Sequence, residues 1–409
     1  MNRDPLRSAV VGVVRNGNCS GCGACSLVSK RVSIALNDRG YMRPQVSRLQ
    51  DVQRKRRKSE ADLFKAICPG VSLTMPSSAN RFDDLVFGPY VSSWEGWAIE
   101  PSVRFAGSSG GVLTALSKWL LEIGVSRSVV GSKGGEDDPK RTVSVSLSDP
   151  QGVLSMSGSR YAPVANMELF DPADDAMAFV GKPCEASAGR RAVARMSDSE
   201  GPLLLSFFCA GTPSQLGTNR LVESLAGPEP VISVRYRGEG WPGNFSVADA
   251  TGVVGSMSYD ESWGRHIGRE IQWRCKICVD GTGGHADIAV GDFWKANSNG
   301  YPIFDSADGN SVVIARTERG HEILMRAVDA GILNLKPLDL TLVRSVQPLQ
   351  VERKISLLGR LAGRSIALKR TPRYTGYRLI RLALGEPIRS LRAVVGTARR
   401  SVSDNTENG

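Results

Sequence analysis

Histidine is almost missing from this chain: His266, His285 and His321 are the only three among 409 residues. No Ser/His/Asp set emerges from so few, which removes a hydrolase of that kind. His285 lies in a motif-dense stretch after Cys278, and its glycine-rich surroundings predict an exposed loop histidine. There is no Walker loop and no GxGxxG after a strand, so neither phosphate-binding motif is available. Long apolar runs are lacking as well. None reaches the eighteen or so residues that a membrane-crossing helix needs. The apolar run Ala9–Val14 is too short for the core of a signal peptide, and it leads into cysteines rather than a small-residue cleavage site. The expectation is a cytoplasmic protein. Hydrophobic residues at 41% and charged residues at 23% are ordinary for a globular chain and exclude wholesale disorder.

What the chain does have is eight cysteines: Cys19, Cys22, Cys25, Cys68, Cys184, Cys209, Cys275 and Cys278. Disulfide-dense proteins are usually small and secreted, whereas this one is large and carries two CxxC-type spacings, so metal binding is the better reading. Cys19-Ser-Gly-Cys22-Gly-Ala-Cys25 is C-x2-C-x2-C, with Cys68-Pro69 downstream. Such a tight turn of small residues lets three thiolates converge on a cubane, with backbone N–H groups free to bond to sulfur. Bacterial ferredoxins place a further cysteine four residues after the third; Ser29 stands there, which leaves the fourth place to Cys68. Structural zinc is the competitor, but zinc sites present separated pairs rather than a triple. In the second group, Cys184 and Cys209 read alone as core cysteines and Cys275/Cys278 as half a zinc ribbon, yet together they make four ligands.

The net charge of +11 is concentrated. Between Glu352 and Arg400 there are thirteen Arg or Lys against two Glu, and the rest of the chain is balanced. A second basic run is Arg54–Lys58. Residues 1–75 read as a small cluster-organised N-terminal domain, with a turn at Asn37–Gly40 between strands Val32–Leu36 and Tyr41–Val46. Pro76–Asn80 reads as a linker. Residues 80–345 alternate a helix over Val112–Leu121 with strands over Val143–Leu147, Ala178–Val180, Leu203–Phe208, Ile288–Val290 and Val312–Ala315. The short uninterrupted runs belong at the centre of a sheet. This predicts an α/β core, or α+β, built on a mixed sheet. Residues 346–409 form a basic helical tail, with Tyr377, Ile380 and Leu384 on one helical face. A helix pair packed on the core is the expectation for it, and contact with an anionic membrane comes second. Nucleic-acid binding has no recognised module and little aromatic content for stacking bases behind it.

The strings RFAGSSGGVLTAL, GSRYAPV, FVGKPCEA, FFCAGTPS, YRGEGWPG and RCKICVDGTGGHADIAVGDFW occur in an order that resembles the coenzyme F420 hydrogenase/dehydrogenase beta-subunit family. That family includes the plant 7-hydroxymethyl chlorophyll a reductase. The resemblance runs from about residue 15 to about 345. It implies FAD and one [4Fe–4S] cluster in the core, ligated by Cys184, Cys209, Cys275 and Cys278. It also implies a second [4Fe–4S] cluster in a ferredoxin-like N-terminal unit, ligated by Cys19, Cys22, Cys25 and Cys68. Ser108, Ser109, Gly110 and Gly111 match a serine–glycine turn ahead of a helix, where free N–H groups suit a pyrophosphate. By motif position Arg160, Tyr161, Asp292 and Trp294 are cofactor contacts, and Lys182 stands near the flavin as the candidate catalytic cation that stabilises its reduced form. The implied activity is an oxidoreductase passing electrons between ferredoxin or a deazaflavin coenzyme and an organic substrate. An association of some bacterial relatives with exopolysaccharide biosynthesis suggests a glycan-related one. The other readings are an electron-relay subunit without its own substrate and a zinc-stapled basic nucleic-acid-binding protein.

Overall fold

The computed structural model describes residues 4–47, 54–77, 82–294 and 308–406. Residues 78–80 of the expected linker lie outside these, as do the side chains of Arg54–Arg57 in the basic run.

Runs of buried aliphatic residues make the centre of an eight-stranded mixed sheet. Its order is Leu333–Pro337, Ser92–Ala98, Asn310–Ala315, Ile288–Phe293, Leu203–Phe207, Met177–Gly181, Ser128–Gly134 and Thr142–Leu147. The four strands from Ile288–Phe293 to Ser128–Gly134 are parallel, and the outer ones join antiparallel. Parallel strands are covered on both faces, and the alternation along each strand shows it. Leu203, Leu205, Val313 and Ala315 meet the helices Val112–Glu122 and Glu318–Asp329. Leu204 and Phe179 face the other way, onto the helix Pro183–Met196. The four short runs predicted for the centre occupy the four central places. Thr142–Leu147, which alternates polar and apolar, is an edge strand. A mixed α/β architecture with several sheets and C-terminal helices is therefore established.

The N-terminal residues hold two helices where the sequence pattern predicted only a hairpin. Asp4 caps the helix Pro5–Arg15 by accepting the Arg7 N–H, and Pro5 begins it. The apolar run that was too short for a signal peptide supplies part of its buried face, Val10, while Leu6 precedes the run. Leu6 and Val10 pack on Ala61 and Phe64 of a second helix, Arg54–Ile67, whose first turn is the basic block. The hairpin Val32–Leu36 with Met42–Val46 turns through Gly40, where φ is +73° and the Gly40 N–H donates to Asn37 O.

The tail is woven into the rest of the molecule. Its strand Arg373–Thr375 pairs in parallel with Ser72–Thr74. The helices Pro348–Ile366 and Pro387–Thr406 pack closely along Gly359 and Gly363. A Cβ at Gly359 would stand 2.1 Å from Ser390 O, and one at Gly363 2.4 Å from Val394 O. The expected common face of Tyr377, Ile380 and Leu384 does not form. The helix begins only at Leu379, after Arg378 in a left-handed conformation, so Tyr377 is buried ahead of it while Ile380 and Leu384 point outward.

Candidate functional site

In open α/β sheets, ligand-binding groups gather where parallel strands end. Here Met177–Gly181 runs into Lys182-Pro183-Cys184, Leu203–Phe207 into Phe208-Cys209, and Ile288–Phe293 ends on Asp292, Phe293 and Trp294. A cavity of about 600 Å³ opens at this edge. That volume lies within the range of small-molecule and cofactor pockets.

Ser108, Ser109, Gly111, Arg160, Tyr161, Lys182, Asp292 and Trp294 line this cavity, eight of the nine positions that the motifs marked for a cofactor. Gly110 does not. Its N–H donates to Ser311 Oγ at 2.9 Å, and a Cβ there would meet Gly96 O. Gly111 adopts φ +73° and begins the helix Val112–Glu122 with no side chain capping it. Val112, Leu113 and Thr114 of that first turn also line the cavity, so uncapped N–H groups and the positive helix end border it. The buried Trp294 Nε1–H has no acceptor within the described residues.

Two marked side chains prove to be committed elsewhere. The Arg160 guanidinium donates to Thr142 Oγ1, Val234 O, Pro139 O and Arg141 O, so it fixes the cavity's wall. Asp292 is held by Arg237, whose Nη1 reaches its Oδ2 at 2.7 Å and whose Nη2 donates to Ser108 O. Arg237 also lies over Tyr259, 4.5 Å from the ring centroid. Tyr161 packs at 4.8 Å on Trp263, giving the cavity an aromatic side. The sequence did not single out Arg237, Tyr259 and Trp263. Arg237 sits in the YRGEGWPG string, whose three glycines were the readable sign of a tight loop; the structure gives positive φ at Gly238, Glu239, Gly240 and Gly243.

Lys182 is the N-cap residue of the helix Pro183–Met196, and it is buried. Its N–H donates to Glu185 Oε2 at 2.8 Å, and its Nζ reaches Glu185 Oε1 at 2.7 Å and Val164 O at 2.9 Å. Burial pulls the ammonium down, but Glu185 and the thiols of Cys184 and Cys209 outweigh it and hold the pKa above the ordinary lysine value. Lys182 is thus a fixed positive charge at the cavity wall. Lys182→Met leaves the fully buried Glu185 carboxylate without its cation, and a stability loss of about 3–5 kcal/mol is expected in urea unfolding. A loss below about 1 kcal/mol would contradict the buried pair.

The eight cysteines form no disulfide with one another and gather in two groups. Cys19, Cys22, Cys25 and Cys68 line one small apolar cavity with Val10, Val13 and Phe64. The wrap depends on glycine: φ is +72° at Gly21 and +93° at Gly23, and a Cβ on Gly21 would come within 2.6 Å of Met42 O. The Gly21 N–H donates to Cys19 Sγ at 3.4 Å. Burial, and then the neighbouring thiols of Cys22 and Cys19, push Cys68 up to about 12. Ser29 is no member of the group, since its hydroxyl donates to Glu60 Oε1.

In the second group, burial and the neighbouring Cys275 raise Cys209 to about 12, with Cys278 adding to the effect. Cys184 is raised well above its ordinary value by burial and Glu185, with smaller contributions from Cys22 and Cys209. The Thr212 N–H donates to Cys275 Sγ at 3.3 Å. Cys22 and Cys184 share one packing cluster, which brings the two groups together, while Cys209 lines the large cavity. Among the described residues, no three His, Cys, Asp or Glu side chains close to the spacing that a single metal ion requires. Four thiolates on one zinc stand about 3.8 Å apart, from Zn–S bonds of about 2.3 Å in a tetrahedron.

Buried arginines surround these thiols. Arg274 donates to Pro69 O and to the Tyr374 hydroxyl, and its charge is felt at Cys68 and Cys278. Arg353, from the tail helix Pro348–Ile366, donates to Cys209 O and Ala210 O; Gln350 also reaches Cys209 O. Neither arginine forms an ion pair with a carboxylate among the described residues. His285, expected on an exposed loop, is buried, with Nε2 3.0 Å from Thr74 O and Nδ1 3.6 Å from Asp280 Oδ2. The glycines around it make close backbone turns rather than a mobile loop. Gly283, for example, has φ +69° and packs against Ser206 and Ala289.

Comparison with known proteins places these features. Residues 93–171 match the family model for the N-terminal part of the coenzyme F420 hydrogenase/dehydrogenase beta subunit, and residues 174–341 match the model for its C-terminal part. The chain is 27% identical over 284 residues to the coenzyme F420 hydrogenase subunit beta of Methanococcus voltae, covering 66% of this chain and 91% of that one. It is 25% identical to the corresponding subunit of Methanosarcina barkeri, over 63% and 85% of the two chains. A chain in the solved F420-reducing [NiFe] hydrogenase complex of Methanosarcina barkeri shares the fold, with a TM-score of 0.50 at 24% identity over 67% of this chain and 95% of that one. With both halves of the family model matched in order, the chain belongs to the coenzyme F420 hydrogenase/dehydrogenase beta-subunit family of oxidoreductases.

Proposed function

We propose that the chain is an electron-transferring oxidoreductase that holds two [4Fe–4S] clusters and FAD. In this reading Cys19, Cys22, Cys25 and Cys68 hold one cluster in the ferredoxin-like N-terminal unit, residues 1–75. Cys184, Cys209, Cys275 and Cys278 hold the other in the flavin-binding core, residues 80–345. The carrying observation is a pair of buried cations, Arg274 and Arg353, that have no carboxylate counter-ion among the described residues and are set against two groups of largely half-buried thiols. A buried charge is costly unless compensated, and ligating thiolates are the compensation available there. Three thiols in a C-x2-C-x2-C run suit a polynuclear cluster better than a lone zinc ion, whose sites present separated pairs.

Bound in the large cavity, a flavin supplies the exchange between two-electron hydride carriers and one-electron centres. The residues lining that cavity fit it. The first turn of Val112–Glu122, with Ser108 and Ser109, offers donors to a pyrophosphate. Tyr161, Tyr259 and Trp263 give flat apolar surface, and Lys182 keeps a positive charge at the wall. Cys209 belongs to both the cavity wall and the second thiol group, which leaves little distance for an electron to cross.

A second reading, in which the chain relays electrons for a separate enzyme, is favoured by the relatives, which are named as subunits of a hydrogenase. Under either reading the redox partner is a deazaflavin coenzyme or ferredoxin, and a small organic or glycan-related substrate belongs only to the first. Anaerobic purification with iron, sulfide and flavin quantified tests the core of the proposal. About eight irons and one flavin per chain are expected. Zinc without flavin would overturn it in favour of a zinc-stapled protein. Hydride turnover by the isolated chain then separates the enzyme from the relay.

A further inference from the structure

We propose that the last two helices, Leu379–Gly385 and Pro387–Thr406, dock the protein on an anionic lipid bilayer. This surface lies beyond residue 341, where the family match ends, and does not depend on the cofactors. At 3.6 residues per turn, Ile388, Leu391, Val395 and Val402 fall within an arc of about 60° on the longer helix. All four are exposed, Ile388 and Leu391 at 66% each. Ser390, Val394, Thr397 and Ser401 mark a different face. That face packs on Gly359, Gly363 and Arg364 of the helix Pro348–Ile366. The apolar stripe is therefore not the face that holds the helix on the protein. Ile380 and Leu384, spaced one turn apart on the preceding helix, are exposed in the same way.

The flanking charges select the occupant. Arg392 and Arg399 project within about 40° of the stripe and are exposed, with Arg381 exposed on the helix before. No Asp or Glu lies between Pro387 and Ser403. A protein interface core is depleted of charge, whereas single aliphatic residues alternating with arginines suit a headgroup region. There the apolar side chains enter the acyl boundary, and the guanidinium groups reach up to lipid phosphate. Residues 379–406 contain no Phe, Trp or Tyr to stack on bases, which disfavours nucleic acid. No helix among the described residues is long and apolar enough to cross a membrane, so the contact lies on the surface.

Vesicle flotation of the full-length protein tests this. Vesicles of phosphatidylcholine with about 30% phosphatidylglycerol are compared with phosphatidylcholine alone, at low salt and at about 0.5 M salt. Binding to the anionic vesicles at low salt is expected. It should weaken at least tenfold in high salt, in Leu391→Asp, and in the double variant Arg392→Gln/Arg399→Gln. Because these side chains are exposed, the unfolding midpoint should stay within error of the parent protein. The proposal is overturned by no binding to anionic vesicles, by binding that none of the variants weakens, or by equal binding to neutral vesicles. It is also overturned if light scattering shows a dimer that Leu391→Asp dissolves, which would make the occupant a second copy.

Discussion

Under the two-cluster proposal, Cys68→Ser protein is expected to keep about four of eight irons and a flavin that is still reduced at close to the parent rate. Cys278→Ser protein should also keep about four, but with slow flavin reduction. The asymmetry follows from the geometry. Cys68 closes a cavity with its own apolar walls, Val10, Val13 and Phe64, which shares no lining residue with the large cavity. Cys278 belongs to the group that includes Cys209, a residue of the large cavity's wall. Serine is a poor substitute because soft thiolate ligands suit iron–sulfur clusters and a hydroxyl does not. Iron analysis with electron paramagnetic resonance of each reduced variant reads the outcome. Equal iron loss from both sites in either variant would sink the two-site assignment.

The parts of this site that were readable in the sequence are local. Three thiols two residues apart, small residues between them, a glycine pair before an apolar helix: each is a short-range pattern with a short-range physical cause. Cys68 was reachable by elimination once Ser29 stood in the expected place, and Ser29 does turn away to Glu60. Central strands were readable for the same reason, since uninterrupted aliphatic runs have nowhere to go but a doubly covered sheet. What stayed hidden is long-range. Nothing near Arg353 in sequence indicates that it bonds to Cys209 O, 144 residues away. The pairing of Ser72–Thr74 with Arg373–Thr375 is equally silent. Local composition misled in two places. The basic block hid the helix Arg54–Ile67, because a polar first turn masks the apolar face provided by Ala61 and Phe64. His285 looked like a surface residue until Asp280 and Thr74 were brought around it.

Under the same proposal, Arg274 is the residue whose removal should be felt at both clusters. It is buried, lacks a carboxylate partner among the described residues, and acts on Cys68 of one group and Cys278 of the other. Reduction adds negative charge to a cluster, so a nearby fixed cation favours the reduced form. Two unit charges about 8 Å apart at an effective dielectric of about 20 interact by about 2 kcal/mol. For a one-electron couple a tenfold change in equilibrium is about 59 mV, so Arg274→Met should lower each potential by on the order of 50–100 mV. The same variant loses hydrogen bonds to Pro69 O and Tyr374, which alone could disturb the site without any electrostatic role. Arg274→Lys separates the two causes, since it keeps the charge but cannot reproduce the forked donor geometry. Potentiometric titration followed by electron paramagnetic resonance should show the potentials restored in Arg274→Lys to within about 20 mV of the parent. If Met and Lys shift them alike, Arg274 is a structural tie between Pro69 and Tyr374, and the driving force between the clusters is set by other groups.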